Sequence, residues 1–306
     1  MKALVTGGAG FIGSHLVDRL LQENYQVYVI DNLSTGSNEN LNEGAELFIE
    51  DICNYSGIEK VFSAVQPEIV FHLAAHIDVA ASFENPEFDF NVNVSGTLNV
   101  LQAAVQAGTK KIVFASSAAV YGEPLYLPVD EDHPLKPLSP YGVSKASAEW
   151  YLQTLARKSG LQTVILRLSN VYGPRQGLKK SSGLISILTK SFFEGKEVTL
   201  FAPKMMTRDY IYVEDVVEAI CLSAEKIDEG VFNISSCTET SNLEVYQLVS
   251  KEIPGTYNVG PYREGEVKRI FLDNSRAKRI MGWEPKTSLE AGIKKTVSFY
   301  REWLKR

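Results

Sequence analysis

Thr6-Gly7-Gly8-Ala9-Gly10-Phe11-Ile12-Gly13 is the stretch on which the fold turns. It closes the strand pattern Ala3-Leu4-Val5-Thr6 and opens a segment that carries Leu16 and Leu20 on one helical face. A strand running directly into a glycine-punctuated bend and a helix is a phosphate-binding turn. Gly7 permits the tight bend, Gly10 the close approach of a pyrophosphate to the backbone, and Gly13 the close packing of helix on strand. The first amides of the helix, at Phe11 and Ile12, then face the anion. Asp31 ends the second strand about 20 residues beyond the turn, where a carboxylate accepts hydrogen bonds from adenosine ribose hydroxyls. Its charge repels a 2′-phosphate, so the expected cofactor is NAD rather than NADP.

Short β-branched runs at Ala3–Thr6, Val27–Ile30, Leu47–Ile49, Ile69–Leu73, Ile112–Ala115 and Val164–Leu168 alternate with segments of helical spacing such as Ile58, Val61, Phe62 and Val65. Six strands alternating with helices predict an α/β fold, a Rossmann-like doubly wound parallel sheet. Asp51-Ile52 and Leu73-Ala74-Ala75 end the third and fourth strands, on the side where an open parallel sheet binds its ligand. After Asn170 the texture changes: Gly173-Pro174 and Lys179-Lys180-Ser181-Ser182-Gly183 punctuate the chain. This places an NAD-binding domain at 1–169, with a return segment near 210–233, and a smaller α/β substrate lobe at 170–306. Ser241 with Glu244 and Thr287 with Glu290 are each spaced as a capping box at a helix start.

A formal net charge of −6 and a pI near 5.4 leave no broad basic field for nucleic acid. Cys53, Cys221 and Cys237 lack the close spacing of a zinc or redox pair and read as reduced core thiols. The four histidines sit in no metal-ligand cluster, so no metal is expected. The chain shows no signal-peptide pattern and no stretch of the roughly 20 apolar residues needed to span a bilayer. The expectation is a cytoplasmic protein with no membrane partner.

Tyr141 and Lys145 stand four residues apart at the start of a helical segment, on one face. An ammonium beside a phenol favours the phenolate, and with a positive nicotinamide nearby it lowers the phenol toward the range of a general base. Ser117, ending the fifth strand, is placed to hold the same substrate hydroxyl. His76, the aromatics Tyr210, Tyr212, Phe232 and Trp283, and Lys179-Lys180 read as an ordinary polar contact, as lobe core and as a solvated loop.

Six pieces in order carry a resemblance over nearly the whole chain: the Thr6–Gly13 turn, Asp31-Asn32-Leu33, His72-Leu73-Ala74-Ala75, Asn93-Val94-Ser95-Gly96-Thr97, Ser116-Ser117-Ala118-Ala119-Val120-Tyr121-Gly122 and Tyr141-Gly142-Val143-Ser144-Lys145. The sequence resembles the extended short-chain dehydrogenase/reductases of the NAD-dependent epimerase/dehydratase type. Asn170–Arg175 and Arg208–Val213 resemble that family's nucleotide-sugar stretches. The resemblance implies that Asn32 and Asn93 join the cofactor site, and that Arg208 and Arg263 bind a nucleotide diphosphate. It places Glu266 where many relatives carry an aspartate for the uridine ribose, and makes Ser82 and Asn170 sugar-contact candidates. It also implies a homodimer formed through the helices near Asn93–Ala107 and Tyr141–Lys158.

Sugar dehydratases of this family carry an acid-base pair where Ala118-Ala119 stand here. An epimerase needs neither group, so the resemblance implies NAD-dependent 4-epimerisation of a UDP-hexose, UDP-glucose or UDP-galactose. Ile270, where some relatives have a bulky tyrosine, leans toward the N-acetylated sugars as well. Two alternatives stay open: a UDP-uronate epimerase or decarboxylase, which needs an added base near C5 or C6, and a non-catalytic NAD-sensing protein, which has no need of Tyr141 and Lys145.

Overall fold

Ala3, Leu4 and Val5 are wholly shielded from solvent, because their strand is central in a sheet with both faces covered. The computed structural model describes residues 1–178, 183–262 and 266–305. In chain order its elements are β1 (Lys2–Thr6), α1 (Phe11–Gln22), β2 (Gln26–Asp31), β3 (Glu46–Ile49), α2 (Tyr55–Val65), β4 (Ile69–His72), α3 (Val79–Glu84), α4 (Pro86–Phe90), α5 (Gly96–Gln106), β5 (Lys111–Ser117), α6 (Pro140–Ser159) and β6 (Gln162–Leu168). There follow β7 (Asn170–Tyr172), α7 (Leu184–Phe193), β8 (Val198–Phe201), β9 (Thr207–Arg208), β10 (Tyr210–Tyr212) and α8 (Val213–Lys226). The chain ends with β11 (Gly230–Ile234), β12 (Thr240–Ser241), α9 (Asn242–Glu252), β13 (Tyr257–Gly260), α10 (Ser275–Met281) and α11 (Leu289–Trp303).

The main sheet has seven strands in the order β11-β6-β5-β4-β1-β2-β3. Strands β3, β2, β1, β4 and β5 pair parallel, Thr6 facing Ile30 on one side and His72 on the other. This is the doubly wound architecture expected, with one strand more than the six read from the sequence. The extra strand, β11, is a short run late in the chain that no alternating strand-helix rhythm announces. Alternate residues Leu4, Tyr28, Ile30, Val70, Ile112 and Phe114 share one core with Ile58, Phe62 and Val65 of α2, Val100 and Leu101 of α5, and Leu152 of α6. The strand order reverses between β1 and β4, which opens a crevice at their C-terminal ends.

The chain divides into two compact units. The first comprises 1–122, 135–167 and 217–232; the second comprises 123–134, 168–216 and 233–306. The second unit holds the two-stranded pairings β10-β7, β12-β9 and β13-β8. Its core includes the buried Tyr172, Tyr212, Trp283 and Tyr300. The Trp283 indole donates to the Asp215 carbonyl at 3.0 Å, and the Asp215 carboxylate accepts the amides of Lys286 and Thr287.

That last contact corrects one helix start. Thr287 has its amide tied to Asp215, and Ser288 is the residue that caps α11, accepting the amide of Ala291 at 3.3 Å. The Ser241–Glu244 capping box of α9 is present as expected. The cysteines need a second correction: Cys221 is buried, but Cys53 and Cys237 are exposed, because both fall in loops outside the packed faces. Among the described residues, no helix is long and apolar enough to cross a membrane, and no group of three or more potential ligands is placed to hold a metal ion.

Candidate active site

The glycine turn is built so tightly that side chains are excluded. Gly7 has φ +71°, and a Cβ there would lie 2.8 Å from the Ala74 amide nitrogen. A Cβ on Gly13 would meet the Gly7 carbonyl oxygen at 2.1 Å, while Gly10, at the start of α1, contributes no capping side chain. The amides of Phe11 and Ile12 open α1, where the helix dipole adds positive character. This cradle of bare backbone at the strand-order reversal fits a pyrophosphate. Asp31 is buried at the end of β2, its carboxylate accepting the amides of Ala9 at 2.9 Å and Leu33 at 2.8 Å. Beside it the Asn32 amide donates to Asp51 at 2.8 Å, and the other Asp51 oxygen accepts the Cys53 amide. Ile52 is buried, and a Cβ on Gly96 would meet it at 2.7 Å. Leu73, Ala74 and Ala75 follow β4 on the far side of the turn.

Ser139 and Pro140 start the 20-residue helix α6: the serine accepts the Gly142 amide and the proline occupies the first turn. Tyr141 therefore sits in the first turn of a long helix, whose dipole favours a negative oxygen. Its backbone amide donates to Ser82 Oγ at 3.2 Å, and the Ser82 hydroxyl in turn donates to the Val79 carbonyl. Ser117, at the end of β5, neighbours its phenol. Burial raises the phenol above its ordinary value, the neighbouring Ser117 hydroxyl opposes that, and the charge of Asp89 adds to it. Lys145 and a nicotinamide are expected to lower this phenol; in the protein alone the net shift is upward, because desolvation is the largest cause. Lys145 is 3% exposed, with its ammonium 4.3 Å from the centre of the Phe114 ring. Burial pulls it down to about 7, against the opposing charges of Glu149 and Asp89.

A chain of hydrogen bonds joins the turn to this helix. Thr6 Oγ1 accepts the Ala74 amide and lies 2.7 Å from His72 Nδ1, while His72 Nε2 lies 2.9 Å from Thr97 Oγ1. The Thr97 hydroxyl donates to the Asn93 carbonyl, so it accepts from His72, whose Nδ1 is left to accept from Thr6. Asn93, buried in a π-helical turn at Asn91–Ser95, donates to the His76 carbonyl, to Asp89 and to Ser144 Oγ. The Ser144 hydroxyl donates to the Tyr141 carbonyl at 2.9 Å. Such π turns recur at functional sites.

In the second unit, Arg208 and Glu266 come together as an ion pair at 3.9 Å. The guanidinium also donates to the Thr207 carbonyl at 2.8 Å, and burial is the largest cause lowering its pKa. The next residue, Asp209, is buried and accepts Ser169 Oγ, both the amide and the hydroxyl of Ser236, and the Leu272 amide, which anchors the β9–β10 corner. Asn170 is exposed, its amide donating to the Asp209 carbonyl at 2.8 Å. Ile270 is buried. Arg263 and Lys179-Lys180 lie outside the described residues.

The profile described as the NAD dependent epimerase/dehydratase family matches residues 3–235. The chain belongs to that family. This epimerase/dehydratase family member is 42% identical to the UDP-glucose 4-epimerase of Thermotoga maritima, whose structure with UDP-glucose matches at a TM-score of 0.94 over 99% of this chain and 100% of that one. The Thermus thermophilus UDP-glucose 4-epimerase, solved in complex with NAD, is 39% identical and matches at 0.94 over 98% of this chain and 99% of its own. A UDP-glucose 4-epimerase of Mycolicibacterium smegmatis is 38% identical over 98% of this chain and 99% of its length.

Several residues that shape the site in this family member escape a sequence reading. Thr6, His72 and Thr97 find their partners 66 and 25 residues away, and nothing local marks such pairs. Asp89 and Glu149 do carry a signal, since each stands four residues from a candidate site residue, Asn93 and Lys145.

Proposed function

We propose that the chain interconverts UDP-glucose and UDP-galactose by NAD-dependent epimerisation at C4. The observation that carries this reading is Tyr141 in the first turn of α6 beside Ser117 at the end of β5, with buried Lys145 one turn on and Ala118 and Ala119 following the serine in place of an acid and a base. Gly7, Gly10, Gly13 and the Phe11 and Ile12 amides hold the pyrophosphate. Asp31, Asn32, Asp51, Ile52, Leu73, Ala74, Ala75 and Asn93 complete the dinucleotide site, which Tyr141 and Lys145 border. Bound NAD supplies a hydride acceptor and donor. The proton work falls to the protein: Tyr141 takes the proton of the sugar 4-hydroxyl onto its phenolic oxygen, and Ser117 holds that same sugar oxygen. The Lys145 ammonium and the α6 dipole stabilise the phenolate that accepts this proton. When the sugar has presented its other face, Tyr141 returns the proton, and the C4 epimer leaves.

Arg208 and Arg263 suit the diphosphate by their forked donors, Glu266 the uridine ribose, and Ser82 and Asn170 the sugar. Ile270, smaller than a tyrosine, extends the substrates to the N-acetylated forms. The test is a panel of UDP-sugars given to the purified protein with no added cofactor, followed by product separation. UDP-glucose and UDP-galactose should reach the same mixture from either side. No conversion of either sugar, even after NAD is added, would sink the reading.

The same reading makes the protein a homodimer. Helices α5 and α6 pack together in the first unit and leave Val105, Trp150, Tyr151 and Leu155 exposed, an apolar face that the same pair from a second copy would cover. Sedimentation should give a dimer, and Leu155→Glu a monomer; a wild-type protein that stays monomeric at every concentration would count against it. The proposed compartment is the cytoplasm, where the exposed Cys53 and Cys237 thiols stay reduced.

A further inference from the structure

Tyr141, Lys145 and Glu149 form a stripe along α6 at successive turns, and all three are buried. Glu149 is fully buried and fully engaged. Arg167 of β6 reaches it through two guanidinium nitrogens, Nε at 3.1 and 3.2 Å and Nη2 at 2.7 Å. Ser116 Oγ of β5 donates to the same carboxylate. Arg167 is fixed in turn by Tyr121, whose hydroxyl accepts Nη1 at 3.0 Å and whose ring lies 4.9 Å from the guanidinium carbon. A buried ion pair costs much of what it gains, and apolar residues of similar volume often replace one without loss. Fold stability alone therefore gives little reason for a carboxylate here. Its position does: it is one turn beyond Lys145, and its Ser116 partner adjoins Ser117.

We infer that Glu149 is a positioning residue for Lys145, a carboxylate locked by Arg167 and Ser116 so that its charge keeps the buried lysine an ammonium beside Tyr141. This rests on the catalytic reading of Tyr141 and Lys145 given above. Around Lys145, Asp89 of α4 supplies a second negative charge, Phe114 of β5 a ring face and His72 of β4 a neutral imidazole, while Arg167 of β6 carries the positive charge that holds Glu149. Burial pulls Lys145 down and Glu149 is the larger of the two charges opposing it. Removing the carboxylate lets the lysine lose its proton at a lower pH, and the phenolate then loses its counter-charge.

The experiment uses the holoenzyme carrying [ε-13C]lysine, with the Lys145 signal identified by its loss in Lys145→Ala. Glu149→Gln strands the Arg167 charge, so the double variant Glu149→Gln/Arg167→Met is made beside it. In both, the Lys145 titration midpoint should fall by about one pH unit or more, and the alkaline limb of turnover should move down with it. Turnover above that limb then drops about tenfold further than turnover below it, while KM for UDP-galactose stays within about twofold. A folded variant whose Lys145 midpoint is unmoved, or whose turnover is scaled down equally at every pH, would overturn the inference. So would failure of both variants to fold, which would assign the carboxylate to the fold alone. Full activity in Tyr141→Phe would instead remove the catalytic reading and leave the Lys145 titration where it was, so the two failures are distinguishable.

Discussion

The carboxylate of Asp31 accepts the backbone N–H of Ala9 at 2.9 Å, which ties the end of β2 to the glycine turn after β1. One buried charge thus shapes the turn proposed to cradle a pyrophosphate and stands where an adenosine ribose would reach it. Its second bond, from the Leu33 amide, bends the chain away after the strand.

Asp31→Ala should accordingly show two losses. Two charge-assisted bonds disappear, so urea unfolding of the cofactor-free protein should report a loss of about 1–3 kcal/mol. Dinucleotide released on denaturing the purified protein should fall sharply, and discrimination against NADP should relax. Wild-type protein that releases no nicotinamide dinucleotide and is not activated by NAD would remove the cofactor site altogether.

Tyr141→Phe removes the phenolic oxygen and keeps the ring in its buried place. Dinucleotide content and thermal stability should stay close to wild type, while turnover falls on the order of 10²-fold or more. Near wild-type epimerisation by this variant would refute the role given to Tyr141.

His72 is pulled down to about 3 by burial, with the Lys145 charge contributing. Its folded pKa lies below its unfolded one, so the unfolded chain binds the extra proton in between. Stability therefore holds above the unfolded value near 6.5 and declines as pH falls from there toward 3, at up to about 1.4 kcal/mol per pH unit for one proton. In His72→Gln this contribution to the slope should vanish. Urea unfolding at several pH values compares the two, and identical slopes would contradict the assignment.

Arg208→Ala should raise KM for UDP-galactose about tenfold or more, as expected when a charged hydrogen bond to phosphate is lost, without altering dinucleotide content. The Glu266 carboxylate loses this partner, at 3.9 Å, in the same variant. An unchanged KM would remove Arg208 from the diphosphate.

With Ala118 and Ala119 beyond Ser117, nothing there removes a proton from C5. Incubation with UDP-galactose in D₂O should give the C4 epimer as the sole stable product, with no deuterium at C5 and no net NADH. A 4-keto-6-deoxy sugar, or NADH in stoichiometric amount, would point to an acid and base elsewhere in the chain.

The legible parts of this protein are those written in short-range pattern. Gly7, Gly10 and Gly13 between an apolar strand and an amphipathic helix specify a strand-turn-helix, because a Cβ on Gly7 or Gly13 would overlap the backbone and one on Gly10 would crowd the Gly7 carbonyl oxygen at 3.1 Å. The alternation of β-branched runs and helical segments specifies the doubly wound sheet, and the four-residue step from Tyr141 to Lys145 puts both on one face of α6. Local rules falter at helix α11, where a bond from the distant Asp215 moves the cap from Thr287 to Ser288.

Backbone geometry over a few residues sets the sheet's architecture, the glycine turn and the spacing of the tyrosine and lysine, so all three are written in the sequence. The state in which those groups sit follows instead from the packing of distant segments around them. Desolvation raises the Tyr141 phenol and lowers the Lys145 ammonium, and both depend on everything packed around them. The grip of Arg167 on Glu149 and the relay from Thr6 through His72 and Thr97 to Asn93 join strands and helices far apart in the chain. Such pairings exist only once the sheet has closed, because a hydrogen bond or a buried charge is specified by distance in space, of which sequence separation carries no record.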